Sequence, residues 1–291
     1  MSIFAYDFMV RALLGALITG ATAPALGIYL VQRRLALIGD GIGHIALTGV
    51  GVGLLTGTSP VLTAVVVAAL GAIAVELVRE RGKTSGDVAL ALLFYGGISG
   101  GVFLVALSAD KTNANLMAYL FGSPLATSRQ DLAVMAVLGA AVLAVTVLLR
   151  PWLFAICHDE EYARVCGLPV RWLNLGLAVA TAVTVTVAMR AVGLLLVSAL
   201  MVVPVAAAQR VTRGFRTTML AAMAVGLLAA AAGIWTAWTY DTAPGATIVL
   251  LAIAGFLLIT VGAGVRRTLR RRWPALGEPA EAEPPDVVLT T

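Results

Sequence analysis

Charge is what this sequence has least of. Asp, Glu, Lys and Arg make up 12% of its 291 residues, whereas apolar residues make up 60%. A soluble globular domain carries about 25% charged and about 45–50% apolar residues. Half the usual charge cannot cover a water-facing surface of this size. An ordinary soluble domain is excluded, and lipid is left as the solvent for much of the chain. Cysteine is scarcer still: Cys157 and Cys166 are the only two, which excludes a disulfide framework. No Walker-type glycine loop, nucleophile elbow or zinc-protease motif occurs in the sequence. Any ATP-driven step therefore belongs to another chain.

Long apolar runs are what the sequence does have. A bilayer core about 30 Å thick needs about 20 apolar residues in a helix. Runs of that kind recur at about 8–31, 36–56, 61–78, 87–107, 131–149, 172–189, 192–209, 217–238 and 246–265. They predict an all-α polytopic membrane bundle of about nine spans, with eight to ten compatible. The division between the runs at 172–189 and 192–209 falls at Arg190, which leaves almost no loop. The first run is too long for a signal-peptide core and has Asp7 before it and only Arg11 near its start, so it reads as a span. Residues 1–272 form one transmembrane domain on this pattern. Residues 273–291, rich in Pro, Glu and Ala, lack the apolar content to fold and are expected to be a disordered cytoplasmic end. The 30 glycines suit closely packed membrane helices.

Basic residues fall on one side of this pattern. With the N-terminus outside, the inner segments hold Arg33 and Arg34, then Arg79, Arg81 and Lys83, then Arg150, Arg164 and Arg171, then Arg210, Arg213 and Arg216. The C-terminal end adds Arg266, Arg267, Arg270, Arg271 and Arg272, for 16 of the 20 basic residues. Positive residues favour the cytoplasmic side, so the N-terminus is expected outside and the C-terminus in the cytoplasm. The same bias explains the net charge of +5 without a nucleic-acid partner. Trp235, Trp238 and Tyr240 fall at a predicted outer boundary, where amphipathic rings belong.

Charge inside a span is costly and marks candidate function. The second run contains GDGIGHIALTGVGVG, which places Asp40 and His44 one turn apart on one helix face. A carboxylate and an imidazole together suit a divalent cation such as zinc or manganese. Two ligands are too few, but a two-fold dimer would supply four. The same residues are also compatible with an Asp40 helix cap and a His44 hydrogen-bonded to it. Gly39, Gly41, Gly43, Gly49, Gly51 and Gly53 thin this helix, as close helix contact or a pathway lining requires. Glu76 and Asp87 flank an inner loop and are expected near water. Cys157, His158 and Cys166 match no strong zinc spacing. An ion-gradient-driven transporter or channel would carry more intramembrane acids than Asp40 alone.

Two loops are long enough to hold structure. The outer one, 108–130, contains an apolar piece at 116–121 that fits a surface helix. The inner one reads CHDEEYARVCGLPVRW. Asp159, Glu160 and Glu161 open it as a helix N-terminus does, and Gly167 with Pro169 ends it. A short cytoplasmic helix between two spans would suit a peripheral motor protein. It is also compatible with an ordinary connecting loop.

The stretch LVQRRLALIGDGIGHIALTGVGVGLLTG at 30–57 resembles the signature of the ABC permeases that take up zinc, manganese or iron. The shared pattern is a basic pair, an apolar stretch, Gly-Asp and then His, here Arg33, Arg34, Gly39, Asp40 and His44. The family usually has Ser before this His, where this chain has Gly43. YLFGSPLATSRQDL at 119–132, DEEYARVCGLPVRWLNL at 159–175 and RAVGLLLVSALMVVPVAAAQ at 190–209 also agree. The likeness runs from about Phe8 to Val265. It implies a type II importer fold and a homodimer on two cytoplasmic ATPase subunits. An extracytoplasmic solute-binding protein would deliver the cation, which is cargo and not a resident cofactor. It implies that 159–169 is the coupling helix, with Glu161, Ala163 and Gly167 central, and that Asp40 and His44 lie on the metal path. A permease for a metal chelate is a related possibility, against which the short chain and the Asp40/His44 pair speak.

Overall fold

Backbone amides in hydrocarbon have no water to bond, so a chain of this composition must satisfy them within helices. The computed structural model describes residues 6–80, 86–108, 119–122 and 127–272, and every regular element among them is a helix. In order these are α1 (Asp7–Gln32), α2 (Ile38–Thr56), α3 (Pro60–Glu80), α4 (Gly86–Leu107), α5 (Arg129–Leu148), α6 (Arg150–His158), α7 (Glu160–Val165), α8 (Val170–Val192), α9 (Leu194–Gln209), α10 (Phe215–Tyr240) and α11 (Pro244–Arg272). Breaks fall where the sequence punctuates. Gly57 closes α2 in the left-handed region at φ 67°. Ser128 and Asp131 form a reciprocal capping box at the start of α5.

Eight of these helices are long and apolar enough to cross a membrane, and α9 is a shorter apolar helix. The expected ninth span is therefore a 16-residue helix, about 24 Å long at 1.5 Å per residue. The expected division at Arg190 is corrected. Arg190 lies inside α8, and the chain breaks at Gly193, whose φ is 89°. A side chain at 193 would also meet the backbone of Phe121 and Gly122, so conformation and space both require glycine there. The expected surface helix at 116–121 lies mostly outside the described residues, as does the expected disordered end at 273–291.

Two groups of helices share one apolar core. Helix α1 packs on α9, α10 and α5, and α2 lies between α3 and α4 with α8 behind it. Small residues set these distances. Gly27 of α1 meets the backbone of Met201 in α9, and a Cβ at Gly97 of α4 would stand 2.5 Å from the His44 carbonyl carbon. In lipid, association rests on such close packing because burying apolar surface gains nothing over lipid contact. Polar groups in the core bond locally. Thr19 and Thr181 donate to the carbonyls of Gly15 and Leu177, and Tyr29 donates to the Thr146 carbonyl at 2.8 Å.

Gly27→Leu should abolish the folded, monodisperse chain, because the α1–α9 contact is backbone to backbone. Gly255→Leu in α11, where nothing lies within 4 Å, should leave it intact. Size-exclusion of fluorescently tagged variants distinguishes the two. Equal profiles would show that this contact does not govern packing.

Candidate functional site: a buried Asp–His pair and a charged hub

Asp40 and His44 occupy the first two turns of α2. Leu37 is the N-cap, and no side chain caps this helix. Asp40 therefore does not act as the cap that the sequence left open. His44 Nε2 stands 3.7 Å from Asp40 Oδ2, too far for a hydrogen bond. His44 Nδ1 is buried without any hydrogen-bond partner. The ring is 6% exposed and stands edge-on to Phe94, with centroids 4.3 Å apart. Gly97 of α4 and Gly43 of α2 let the neighbouring helices close on it, against Val185 and Leu194. A buried imidazole with an unsatisfied nitrogen beside a carboxylate is a costly arrangement unless something else comes to it.

Asp40, but not His44, opens onto a groove. Leu37, Asp40, Leu90, Ala91, Phe94 and Tyr95 line about 340 Å³ on the outer side of α2 and α4. A first-row cation sits about 2.0–2.2 Å from imidazole nitrogen and carboxylate oxygen, which at a tetrahedral angle separates those atoms by about 3.4 Å. The observed 3.7 Å is close to that. Only two donors come from one chain: among the described residues no group of three His, Cys, Asp or Glu could hold a metal.

The second cluster lies at the α7 end of the bundle. Arg33, at the C-cap of α1, donates from Nη1 to Asn174 Oδ1 and from Nη2 to Glu160 Oε2, both at 2.8 Å. Its side chain is only 5% exposed. Asn174 Nδ2 donates to Glu160 Oε1 at 3.3 Å. Arg79 of α3 and Arg164 of α7 approach the same carboxylate at 3.7 and 3.6 Å. Glu160, the first residue of α7, thus joins α1, α3 and α8. Arg79 also grips Glu76 through Nε at 2.9 Å and Nη2 at 2.6 Å. The expectation that Glu76 sits near water is corrected: it is 5% exposed and neutralised by that pair. Asp87 has no described side chain.

Helix α7 has the ends the sequence predicts. Asp159 Oδ1 accepts from the Tyr162 amide at 2.9 Å, and Gly167 turns the chain at φ 80°. Glu161 and Gly167 are exposed, and nothing lies within 4 Å of Gly167. Ala163 points inward at 1% exposure and seats α7 on the bundle. Outward go Tyr162 and Val165, and Trp172 at the start of α8 is 74% exposed. These exposed apolar side chains gather at a charged end of the bundle. Cys157 donates its thiol to the Tyr29 carbonyl at 3.6 Å and joins no metal cluster. Sequence reading missed Arg33, Asn174, Arg79 and Glu160 as a unit, because the partners lie up to 141 positions apart. Only the run of acids at 159–161 hinted at it.

Eight apolar helices of spanning length define a multi-pass membrane protein, and comparison supplies the family. The chain belongs to the ABC 3 transport family, which it matches over residues 5–263. It is 30% identical to the manganese transport system membrane protein MntC of Halalkalibacterium halodurans, over 93% of this chain and 92% of that one. It is 31% identical to the chelated iron transport system membrane protein YfeD of Yersinia pestis, over 89% and 86%. Its fold is similar to that of PsaBC from Streptococcus pneumoniae in complex with Fab, with a TM-score of 0.82 at 26% identity, over 93% of this chain and 97% of that one. The chain is a metal ABC transporter permease subunit, and its relatives carry different metals.

Breaking one partner of a buried ion pair strands the other charge. Glu160→Ala should destabilise the chain by about 2 kcal/mol, below the fully buried range because Glu160 keeps some solvent. Glu160→Asp should recover part of it. An unchanged thermal midpoint for the alanine variant would show that the hub holds nothing together.

The two cysteines give an independent check. Burial pushes the Cys157 thiol up to about 11, against a smaller opposing pull from Arg33. At pH 7 about one Cys157 in ten thousand is thiolate, whereas Cys166 is exposed. Maleimide should label the protein once, and Cys166→Ser should abolish that labelling below about pH 9. Labelling of Cys157 at pH 7 in the detergent-solubilised chain would contradict its burial.

Proposed function

We propose that this chain is the membrane permease of an ATP-driven importer carrying a free divalent cation, manganese or zinc, into the cell across the cytoplasmic membrane. The Asp40/His44 pair, with its buried, unbonded imidazole nitrogen and its carboxylate opening onto a groove, carries this reading. Two copies meet with their α2 grooves face to face, so that two carboxylates and two imidazoles share one cation. Oxygen and nitrogen donors of this kind suit manganese, zinc and iron alike. The solute-binding protein then contributes to the choice among them.

Transport proceeds by alternating access. Two ATPase subunits dock on the exposed surface of α7, where Glu161, Tyr162, Val165 and the turn at Gly167 meet them. Ala163 fixes α7 to the bundle. ATP-driven closure displaces α7, and Glu160 passes that displacement to Arg33 at the end of α1. Only four residues separate Arg33 from the start of α2, so the Asp40/His44 pair moves with it. The pair holds the desolvated cation briefly; a tight site would trap it. The N-terminus lies outside and the arginine-rich C-terminal end inside, as the basic bias supports.

Asp40→Ala and His44→Ala should each lower cation uptake at least about tenfold, the loss of one ligand's worth of binding, with unchanged membrane levels. Wild-type uptake in both would sink the assignment. Gly167→Arg should abolish cation-stimulated ATP hydrolysis and co-purification of the ATPase. A membrane-impermeant maleimide should reach Cys166 in inside-out vesicles and not in intact cells. The opposite result would invert the orientation.

A further inference from the structure

We infer that the groove between the α9–α10 loop and α11 is a binding site for an acidic phospholipid, with the headgroup phosphate on Arg210, Arg213 and Arg266 and the acyl chains along the outer face of α11. The groove encloses about 600 Å³. Arg210 and Arg213 come from the loop, and Ile259, Gly262 and Arg266 come from α11. Elsewhere at this end of the bundle, Arg33, Arg79, Arg164 and Arg171 each stand against a glutamate. None of the three groove arginines stands in a described ion pair. Three like charges around one groove repel one another, and an anion is what relieves them.

Depth identifies the anion. Arg266 lies 22 residues beyond Pro244, the first residue of α11. At 1.5 Å per residue that is about 33 Å, the thickness of the hydrocarbon core. Ile259, further back, lies inside that core. The Arg210 guanidinium is drawn over the Phe256 ring at 5.9 Å, ten residues nearer Pro244 than Arg266, so it reaches in toward the hydrocarbon. A headgroup phosphate sits at that level, with its acyl chains beside the apolar part of the same helix. Around α11 from the groove, Leu250, Leu257, Leu258, Val261 and Val265 are all more than half exposed, the face along which acyl chains would run. Basic pockets of this kind between membrane helices suit anionic lipid headgroups. The site does not depend on the Asp40/His44 reading.

The test uses the full-length chain purified in detergent. Phosphatidylglycerol, phosphatidylcholine and inorganic phosphate are titrated separately, with the thermal midpoint and lipid retention in native mass spectrometry as readouts. Phosphatidylglycerol should raise the midpoint and be retained, and the other two should do neither. Arg210→Gln with Arg213→Gln should weaken phosphatidylglycerol binding by about tenfold or more, at roughly one lost contact per residue. Gly262→Leu keeps all three guanidiniums and points into open space, since nothing lies within 4 Å of that position. It should lower retention by filling the groove. Equal effects of phosphatidylcholine, or an equal effect of free phosphate, would overturn the lipid assignment. So would wild-type retention in both variants. Retention that arises only after residues 273–291 are removed would show that the chain's own acidic end is the occupant, and would overturn it too.

Discussion

An ionised group in hydrocarbon has no water to solvate it, and whatever neutralises it must come from the protein, the lipid headgroups or the cargo. That constraint orders this bundle. Arg33 is almost wholly buried, and Glu160 and Asn174 meet it at hydrogen-bond distance. Glu76 is buried, and Arg79 grips it with two bonds. In both cases the partner comes from the chain itself, and the result ties helices together. The Asp40/His44 pair is different. Its two members stand too far apart to bond each other, and the imidazole keeps a bare buried nitrogen. Where the buried charges of the hub find partners within one chain, this pair is incomplete.

The incompleteness is kept in place by packing. Helix α2 is thin because glycine recurs along it, and α3, α4 and α8 close around it on three sides. Gly97 brings α4 onto the backbone of His44 itself, so the imidazole has little freedom to turn away and find another partner. The remaining side carries Asp40 at the edge of an apolar groove. A carboxylate facing lipid there would be expensive, which favours a second copy of the chain as the cover. The proposed dimer and the proposed cation thus answer the same physical deficit.

Much of this was legible in the sequence because local rules govern it. Lipid solvent, span positions, the helix opening at Asp159 and the turn at Gly167 follow from runs, caps and glycine. The i, i+4 spacing of Asp40 and His44 also read correctly as one helix face. What could not be read is set by partners distant in the chain. Glu76 looked like a loop-edge acid, and its burial depends on how α3 packs. Arg33 looked like one more basic residue at a membrane face, and its burial depends on α7 and α8 folding back over it. The apolar runs divide at Arg190, but a charge does not set the helix break between α8 and α9. The φ of Gly193 and its contact with Phe121 and Gly122 decide it instead. Ala163 matched the family's pattern, but only its burial explains it as the seat of α7.

The central claim is that one cation is held by two Asp40/His44 pairs, one from each copy. X-ray absorption at the metal edge, on the assembled transporter loaded with manganese or zinc and stripped of excess ion, tests it directly. One metal per two permease chains is expected, with two imidazole nitrogens and carboxylate oxygens in the nearest shell. A metal bound per single chain, or a shell without imidazole scattering, would contradict the account.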